Sequence, residues 1–139
     1  MADERRATVQ WKGNDLHFDA TLGSGYAFKM ASPAGADAGG SPMEFLLAGV
    51  AGCTAVDVVH TLRKMRQPVD GVRVEIAGIR AAEHPKVYTD VTLRYVVQGS
   101  GVERKAVERA VALSQETYCS ASKMFERAGV RMKTEIELT

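Results

Sequence analysis

The two cysteines of this 139-residue chain, Cys53 and Cys119, are the residues best suited to chemistry. A thiol ionises to a nucleophilic thiolate, and two thiols that meet can be oxidised to a disulfide. Cys53 stands in an apolar stretch beside small residues, and Cys119 directly follows Tyr118. This pattern indicates a two-cysteine redox pair, provided that the two thiols meet in space.

Two glycines near Cys53 bear on whether that thiol is chemical or structural. A lone helical cysteine beside alanine and glycine is most often a packing residue, because cysteine is among the most buried residue types. Gly49 and Gly52 need a further reason, since glycine costs about 1 kcal/mol relative to alanine inside a helix. They allow either a close approach of another helix or the access of a substrate to the sulfur. Packing, close approach and access all stay open at this point.

Other catalytic chemistries have weaker support. Asp57 lies one helical turn after Cys53 on the same face, and its negative charge opposes thiolate formation unless a cation neutralises it. No metal site is indicated, because the chain has no C-x-x-C motif and its three histidines have no ligand-like spacing to the cysteines. No G-x-S-x-G motif supports a serine hydrolase either.

The hydrophobic patterns predict an α+β fold with the order βββ-α-ββ-αα-β, in a single domain over residues 1–139. Strands are predicted at residues 7–11, 15–20, 26–30, 72–76, 91–97 and 130–138, and two later helices at 103–117 and 120–127. The capping box of Ser41 and Glu44 begins a longer helix that runs from Pro42 to about residue 66. The first half of that helix is apolar on all sides, which predicts burial on every side.

Composition narrows the possible partners and location. The chain has 18 basic and 17 acidic residues and no cluster of lysine or arginine, so neither nucleic acid nor an anionic membrane is an expected partner. The charged N-terminus lacks an apolar signal core, and the charge-free run 45–56 is too short to cross a bilayer. We therefore expect a cytoplasmic protein, in which a disulfide is transient and catalytic rather than structural.

Several motifs taken together resemble the OsmC/Ohr superfamily, above all its YhfA-like branch, over nearly the whole chain. They are Ser41-Pro42-Met43-Glu44, the stretch 48–54 that contains Cys53, Asp57-Val58-Val59 and Tyr118-Cys119-Ser120. The resemblance implies the OsmC-like fold as an intertwined homodimer, with a central helix of each chain buried against the other. Such a dimer would explain why so small a chain has a helix that is apolar all round.

The resemblance also implies an activity, the reduction of peroxides by cysteine, with organic hydroperoxides preferred to hydrogen peroxide. Cys53 would be the peroxidatic thiol and Cys119 the resolving thiol. Met43, Gly49 and Tyr118 are candidates for the substrate pocket. No bound cofactor is implied, because an external dithiol, for example that of a lipoyl protein, would reduce the disulfide.

Two positions depart from the family pattern. The peroxidases of the family carry adjacent glutamates after the proline, whereas here Met43 holds the first position and Glu44 the second. Those enzymes also hold the thiolate with an N-terminal arginine. This chain has no arginine between Arg6 and Arg63, which leaves Lys29 as the nearest candidate, a cation without the bidentate fork of arginine.

Two other functions stay open at this stage. The first alternative is a protein that binds a small apolar or thiol-bearing ligand. The second is a thiol redox sensor that relays oxidation to a partner. Catalytic turnover of peroxide with a dithiol distinguishes the peroxidase from both.

Overall fold

The computed structural model describes residues 2–139, and these form six strands and three α-helices. Their bounds are β1 Ala7–Trp11, β2 His17–Leu22, β3 Ala27–Ala31, α1 Pro42–Lys64, β4 Gly71–Arg80, β5 Tyr88–Gln98, α2 Arg104–Leu113, α3 Ser120–Arg127 and β6 Arg131–Leu138. A π-helical segment, Ser114–Tyr118, lies between α2 and α3. The predicted α+β class and the order βββ-α-ββ-αα-β are confirmed.

The chain divides into two compact units, residues 1–46 and residues 47–139. The first unit holds an antiparallel sheet in the order β1-β2-β3. Its second strand begins at His17, later than predicted, because Asp15 adopts a positive φ of 45° in the hairpin turn. The indole nitrogen of Trp11 donates to the Asp15 carbonyl at 2.7 Å, which closes this turn. The prediction of one domain over residues 1–139 stays a prediction.

The second unit holds a sheet in which β5 lies between β4 and β6. Strand β5 is antiparallel to β4 and parallel to β6. The predicted inward residues of β5, Val91, Leu93, Tyr95 and Val97, are all buried, but Val96 on the opposite face is buried too, so the alternation ends at Tyr95. On the outward side, the guanidinium of Arg131 donates to both carboxylate oxygens of Asp90, at 2.6 and 2.8 Å. This pair joins β6 to β5, since the two residues are register partners.

Helix α1 begins and ends with well-defined caps. The backbone N–H of Ser41 donates to the Glu44 carboxylate at 2.9 Å, and the N–H of Glu44 donates to the Ser41 hydroxyl at 3.2 Å, so the predicted capping box is confirmed. At the other end Arg66 has a φ of 58°, and the N–H of Gln67 donates to the carbonyl of Leu62. This geometry is a Schellman motif, and it ends the helix at Lys64 rather than at residue 66.

Burial on helix α1 is one-sided. Val50, Thr54, Val58 and Leu62 follow a helical spacing of four and are all buried. The opposite side is uncovered, and Val56 is 69% exposed. The prediction of burial on every side is therefore wrong for the single chain, because within residues 2–139 no element covers this face.

Helix α1 is also the one helix of the described residues that is long and apolar enough to cross a membrane, judged by length and composition. The core helix of a soluble protein passes the same test.

Candidate active site

The two cysteines meet in the second unit. Cys53 lies on α1 and is half-buried, whereas Cys119 lies at the start of α3 and is only 2% exposed. Both are free thiols, and the thiol of Cys119 forms a hydrogen bond with the sulfur of Cys53. The sequence predicts a redox pair only if the two thiols meet in space, and in the structure they do.

The π-helical segment sets the position of Cys119. The N–H of Cys119 donates to the carbonyl of Ser114, five residues earlier, at 2.7 Å. Such a turn holds one residue more than an α-helical turn and is frequent at functional sites. Residues 104–118 are helical, as predicted for 103–117, but α2 ends at Leu113 and the helix continues as the π-helical segment. Cys119 then adopts an extended backbone and becomes the N-cap of α3.

Opposing effects act on the Cys119 thiol. Burial raises its pKa above the ordinary value, and the adjacent thiol of Cys53 raises it further. The hydroxyl and the backbone N–H of Ser122 both form hydrogen bonds with the sulfur, the N–H at 3.4 Å, and these act in the opposite direction. The net pKa is raised, so Cys119 keeps its proton at neutral pH and is able to donate it towards Cys53.

A chain of buried hydroxyl groups lies beside the thiol pair. The Thr54 hydroxyl is 2.7 Å from the Tyr95 hydroxyl and 2.7 Å from the Ser114 hydroxyl, which donates to the Asp57 carboxylate at 2.8 Å. The carboxylate only accepts, and each hydroxyl has one proton. The protons must therefore run in one direction, from Tyr95 to Thr54, from Thr54 to Ser114, and from Ser114 to Asp57.

Gln115 joins this chain to the N-terminus of α3. Its amide nitrogen lies 3.2 Å from the Thr54 hydroxyl, 3.2 Å from the Tyr95 hydroxyl and 3.1 Å from the Ser122 hydroxyl. Two N–H bonds thus serve three acceptors, one of them shared between Thr54 and Tyr95. Throughout residues 2–139, every buried side-chain nitrogen or oxygen has a hydrogen-bond partner.

Burial raises the pKa of Tyr95 to about 12. Because the pKa of Tyr95 in the folded state exceeds the ordinary tyrosine pKa of 10.0, the stability that neutral Tyr95 contributes is complete below pH 10 and is lost as pH rises towards 12. We expect Tyr95→Phe to make the free energy of unfolding fall less steeply across this range, as measured by denaturant unfolding at a series of pH values. Tyr118→Phe, at an exposed tyrosine of the same unit, is the control. If the free energy of unfolding of Tyr95→Phe falls with pH as steeply as that of wild type, the raised pKa does not belong to Tyr95.

The other predicted site residues of this unit lie on α1 and at the end of the π-helical segment. Asp57 is half-buried on α1 and is partnered by a hydroxyl, not by the cation that the sequence analysis required of it. Gly49 and Gly52 lie on the exposed side of α1, and a Cβ on either would meet open space. Tyr118 is 59% exposed at the end of the π-helical segment. Their roles towards a substrate stay predictions.

Three further candidates belong to the first unit. Glu44 completes the capping box of α1, and Met43 lies in the first turn of the same helix. Lys29 lies on β3, where it is the register partner of Asp19 on β2. The support of Cys53 by Glu44 and Lys29, and the contact of Met43 with a substrate, stay predictions.

Sequence reasoning missed four residues of the site, namely Thr54, Tyr95, Ser114 and Gln115. A signal exists for two of them. Thr54 interrupts the apolar face formed by Val50, Val58 and Leu62, and Tyr95 lies on the buried face of β5. A hydroxyl on a buried face must find a partner, which points to polar contacts in the core.

No metal-binding cluster accompanies this site. Residues 2–139 contain no group of three or more His, Cys, Asp or Glu side chains that could hold an ion.

Comparison with known proteins gives consistent matches. The family model described as OsmC-like protein matches residues 35–135. Protein YhfA of Escherichia coli strain K12 is 39% identical over 123 residues, which cover 88% of this chain and 90% of YhfA. The crystal structure of a hypothetical protein from Aquifex aeolicus VF5 is 30% identical, with a TM-score of 0.87 over 99% of this chain and 98% of its own.

A more distant structure supports the fold alone. It is an organic hydroperoxide resistance protein OsmC from Legionella pneumophila, which is 18% identical with a TM-score of 0.72, over 99% of this chain and 98% of its own.

Proposed function

The chain belongs to the OsmC-like family, and from that premise we propose that it is a thiol peroxidase that reduces organic hydroperoxides through Cys53 and Cys119. The observation that carries this proposal is the contact of two free thiols, one half-buried and one buried. Two reduced thiols in contact are poised to form a disulfide, and a redox cycle uses that reaction.

The catalytic cycle follows from ordinary thiol chemistry. The Cys53 thiolate attacks the terminal oxygen of ROOH, the O–O bond breaks, and RO⁻ leaves and takes up a proton as the alcohol. Cys53 is then a sulfenic acid. The sulfur of Cys119 attacks the sulfur of Cys53, the S–O bond breaks, and the hydroxyl leaves with the proton of Cys119 as water. An external dithiol reduces the resulting disulfide by exchange and is itself oxidised.

The high pKa of Cys119 suits the resolving role. Because Cys119 keeps its proton, it does not compete as the nucleophile towards peroxide, and its S–H bond is available to the Cys53 thiolate. Its burial keeps peroxide away from the resolving sulfur, whereas Cys53 is partly open to solvent.

One observation favours an organic hydroperoxide over hydrogen peroxide. A structure with the same fold is described as an organic hydroperoxide resistance protein.

The test is turnover with a dithiol. We expect the protein to consume cumene hydroperoxide catalytically with dihydrolipoamide as the reductant, and faster than it consumes hydrogen peroxide. Mass spectrometry after oxidation without reductant should find the Cys53 peptide linked to the Cys119 peptide. Oxidation without turnover would favour a redox sensor instead. If both thiols stay unreacted under excess hydroperoxide, they are packing residues.

The uncovered face of α1 supports a homodimer. Gly49, Gly52 and Val56 lie along it at spacings of three and four, and two glycines let another backbone approach closely. We expect sedimentation to give a dimer, and Val56→Glu to weaken it because a charge would be buried. Val87→Glu is the matched control, since Val87 is also exposed but lies outside α1. A folded wild-type monomer at micromolar concentration would contradict the dimer.

A further inference from the structure

We propose that Gln115 is a positioning residue that orients the resolving thiol Cys119 through the hydroxyl of Ser122, an inference that rests on the function proposed above. No chemistry is assigned to Gln115 itself, and it touches neither sulfur in the described contacts. Its role follows from the direction of the surrounding hydrogen bonds.

The orientation of the Gln115 amide is fixed by its neighbours. The Tyr95 proton is committed to Thr54 and the Thr54 proton to Ser114, because Ser114 donates to the Asp57 carboxylate. The hydroxyl oxygens of Tyr95 and Thr54 therefore present lone pairs to Gln115. Only the amide nitrogen can face them, since the amide oxygen would meet two acceptors. The direction of the hydroxyl chain thus decides which end of the Gln115 amide points inward.

The fixed amide in turn fixes Ser122. The Gln115 nitrogen lies 3.1 Å from the Ser122 hydroxyl, which must accept there. The hydroxyl proton of Ser122 is then directed elsewhere, and the nearby sulfur of Cys119 takes it. The backbone N–H of Ser122 donates to the same sulfur at 3.4 Å. Two donors from one residue hold the Cys119 sulfur at the start of α3.

This arrangement favours the development of negative charge on a resolving thiol that is buried. Burial and Cys53 both raise the pKa of Cys119, while its two hydrogen bonds to Ser122 favour the charged form. As the proton leaves during disulfide formation, negative charge develops on this sulfur, and donors already in place stabilise it. The other titratable groups around the cluster are Tyr95 on β5 and Asp57 on α1. Neither donates to the sulfur in the described contacts.

The experiment uses Gln115→Met, which keeps the length of the side chain and removes the amide. With one equivalent of cumene hydroperoxide, the rate of sulfenic acid formation at Cys53, trapped with dimedone, should equal that of wild type. The rate of disulfide formation should fall about tenfold, the effect of losing about one well-placed hydrogen bond. Gln98→Met is the matched control, because Gln98 is exposed at the end of β5.

A second measurement does not depend on peroxide. In a Cys53→Ser background, where Cys119 is the remaining thiol, the ultraviolet absorbance of the thiolate followed against pH reports the pKa of Cys119. Gln115→Met should raise this pKa, because a donor that favours the thiolate is no longer held in place. Ser122→Ala, which removes the hydroxyl directly, should raise it as well and serves as the second variant if Gln115→Met does not fold.

The outcomes separate the two proposals. Failure of wild type to react with peroxide would end the peroxidase proposal, while the thiolate titration and disulfide formation driven by diamide would still test Gln115. Disulfide formation at the wild-type rate in Gln115→Met would overturn the positioning role. So would a slower reaction with an unchanged pKa of Cys119, because that combination indicates a packing defect alone.

Discussion

A Cys119→Ser variant is expected to consume one equivalent of organic hydroperoxide and then stop, with sulfenic acid left on Cys53. The first step needs only Cys53, whereas the second needs the sulfur that lies in hydrogen-bond contact with it. Serine keeps nearly the shape of cysteine at the start of α3 but cannot form a disulfide. Excess peroxide should then carry Cys53 on to the sulfinic acid, and mass spectrometry would detect both products.

The companion variant is Cys53→Ser, which should consume no peroxide because Cys119 is buried and keeps its proton. Together the two variants assign the order of events. Sustained turnover by Cys119→Ser with dihydrolipoamide at the wild-type rate would show that an external thiol attacks the sulfenic acid directly. In that case Cys119 has no resolving role.

The largest loss of stability is expected from Thr54→Val. Thr54 is fully buried and lies at the centre of the polar cluster, where its hydroxyl contacts Tyr95, Ser114 and Gln115. Valine has nearly the same shape, so little packing is lost, but the partner groups are left without their hydrogen bonds. Each such group costs 1–3 kcal/mol, and we expect a total loss of about 3 kcal/mol in the free energy of unfolding.

Denaturant unfolding measures this loss, with Thr61→Val as the matched control on the same helix. Tyr95→Phe combined with Thr54→Val should cost less than the sum of the single changes, because it removes a hydroxyl that the first change leaves unpaired. Strict additivity of the two would show that their hydroxyls are not coupled.

Local patterns in the sequence predict the elements well. The serine and glutamate that cap α1 are three residues apart, and the apolar alternation of β5 runs from Val91 to Tyr95, so short windows carry both signals. The meeting of Cys53 and Cys119 is different. The sequence implies this contact only through the family resemblance, because the two cysteines are too far apart in the chain for any local pattern to predict that they meet.

The polar cluster could not be predicted for the same reason. Thr54 and Tyr95 are 41 residues apart, and Thr54 and Ser114 are 60 apart, so their hydrogen bonds depend on tertiary structure. The change of helix type at the end of α2 could not be predicted for a different reason. Residues 114–118 have ordinary polar helical composition, and a π-helical turn differs from an α-helical one by one residue per turn, which leaves no trace in hydrophobic periodicity.

The extra residue in the π-helical segment 114–118 makes the thiol pair sensitive to chain length. Each residue turns an α-helix by about 100°, so deleting one residue between Leu113 and Cys119 would restore regular helix and rotate the second sulfur away from the first. Both cysteines would still be present in such a chain, yet they would no longer meet. A single codon gained or lost here is therefore an evolutionary route by which the contact between the two thiols can arise or disappear. Among relatives that keep both cysteines, the length of this segment, rather than the identity of its residues, should separate those with the thiol pair from those without it.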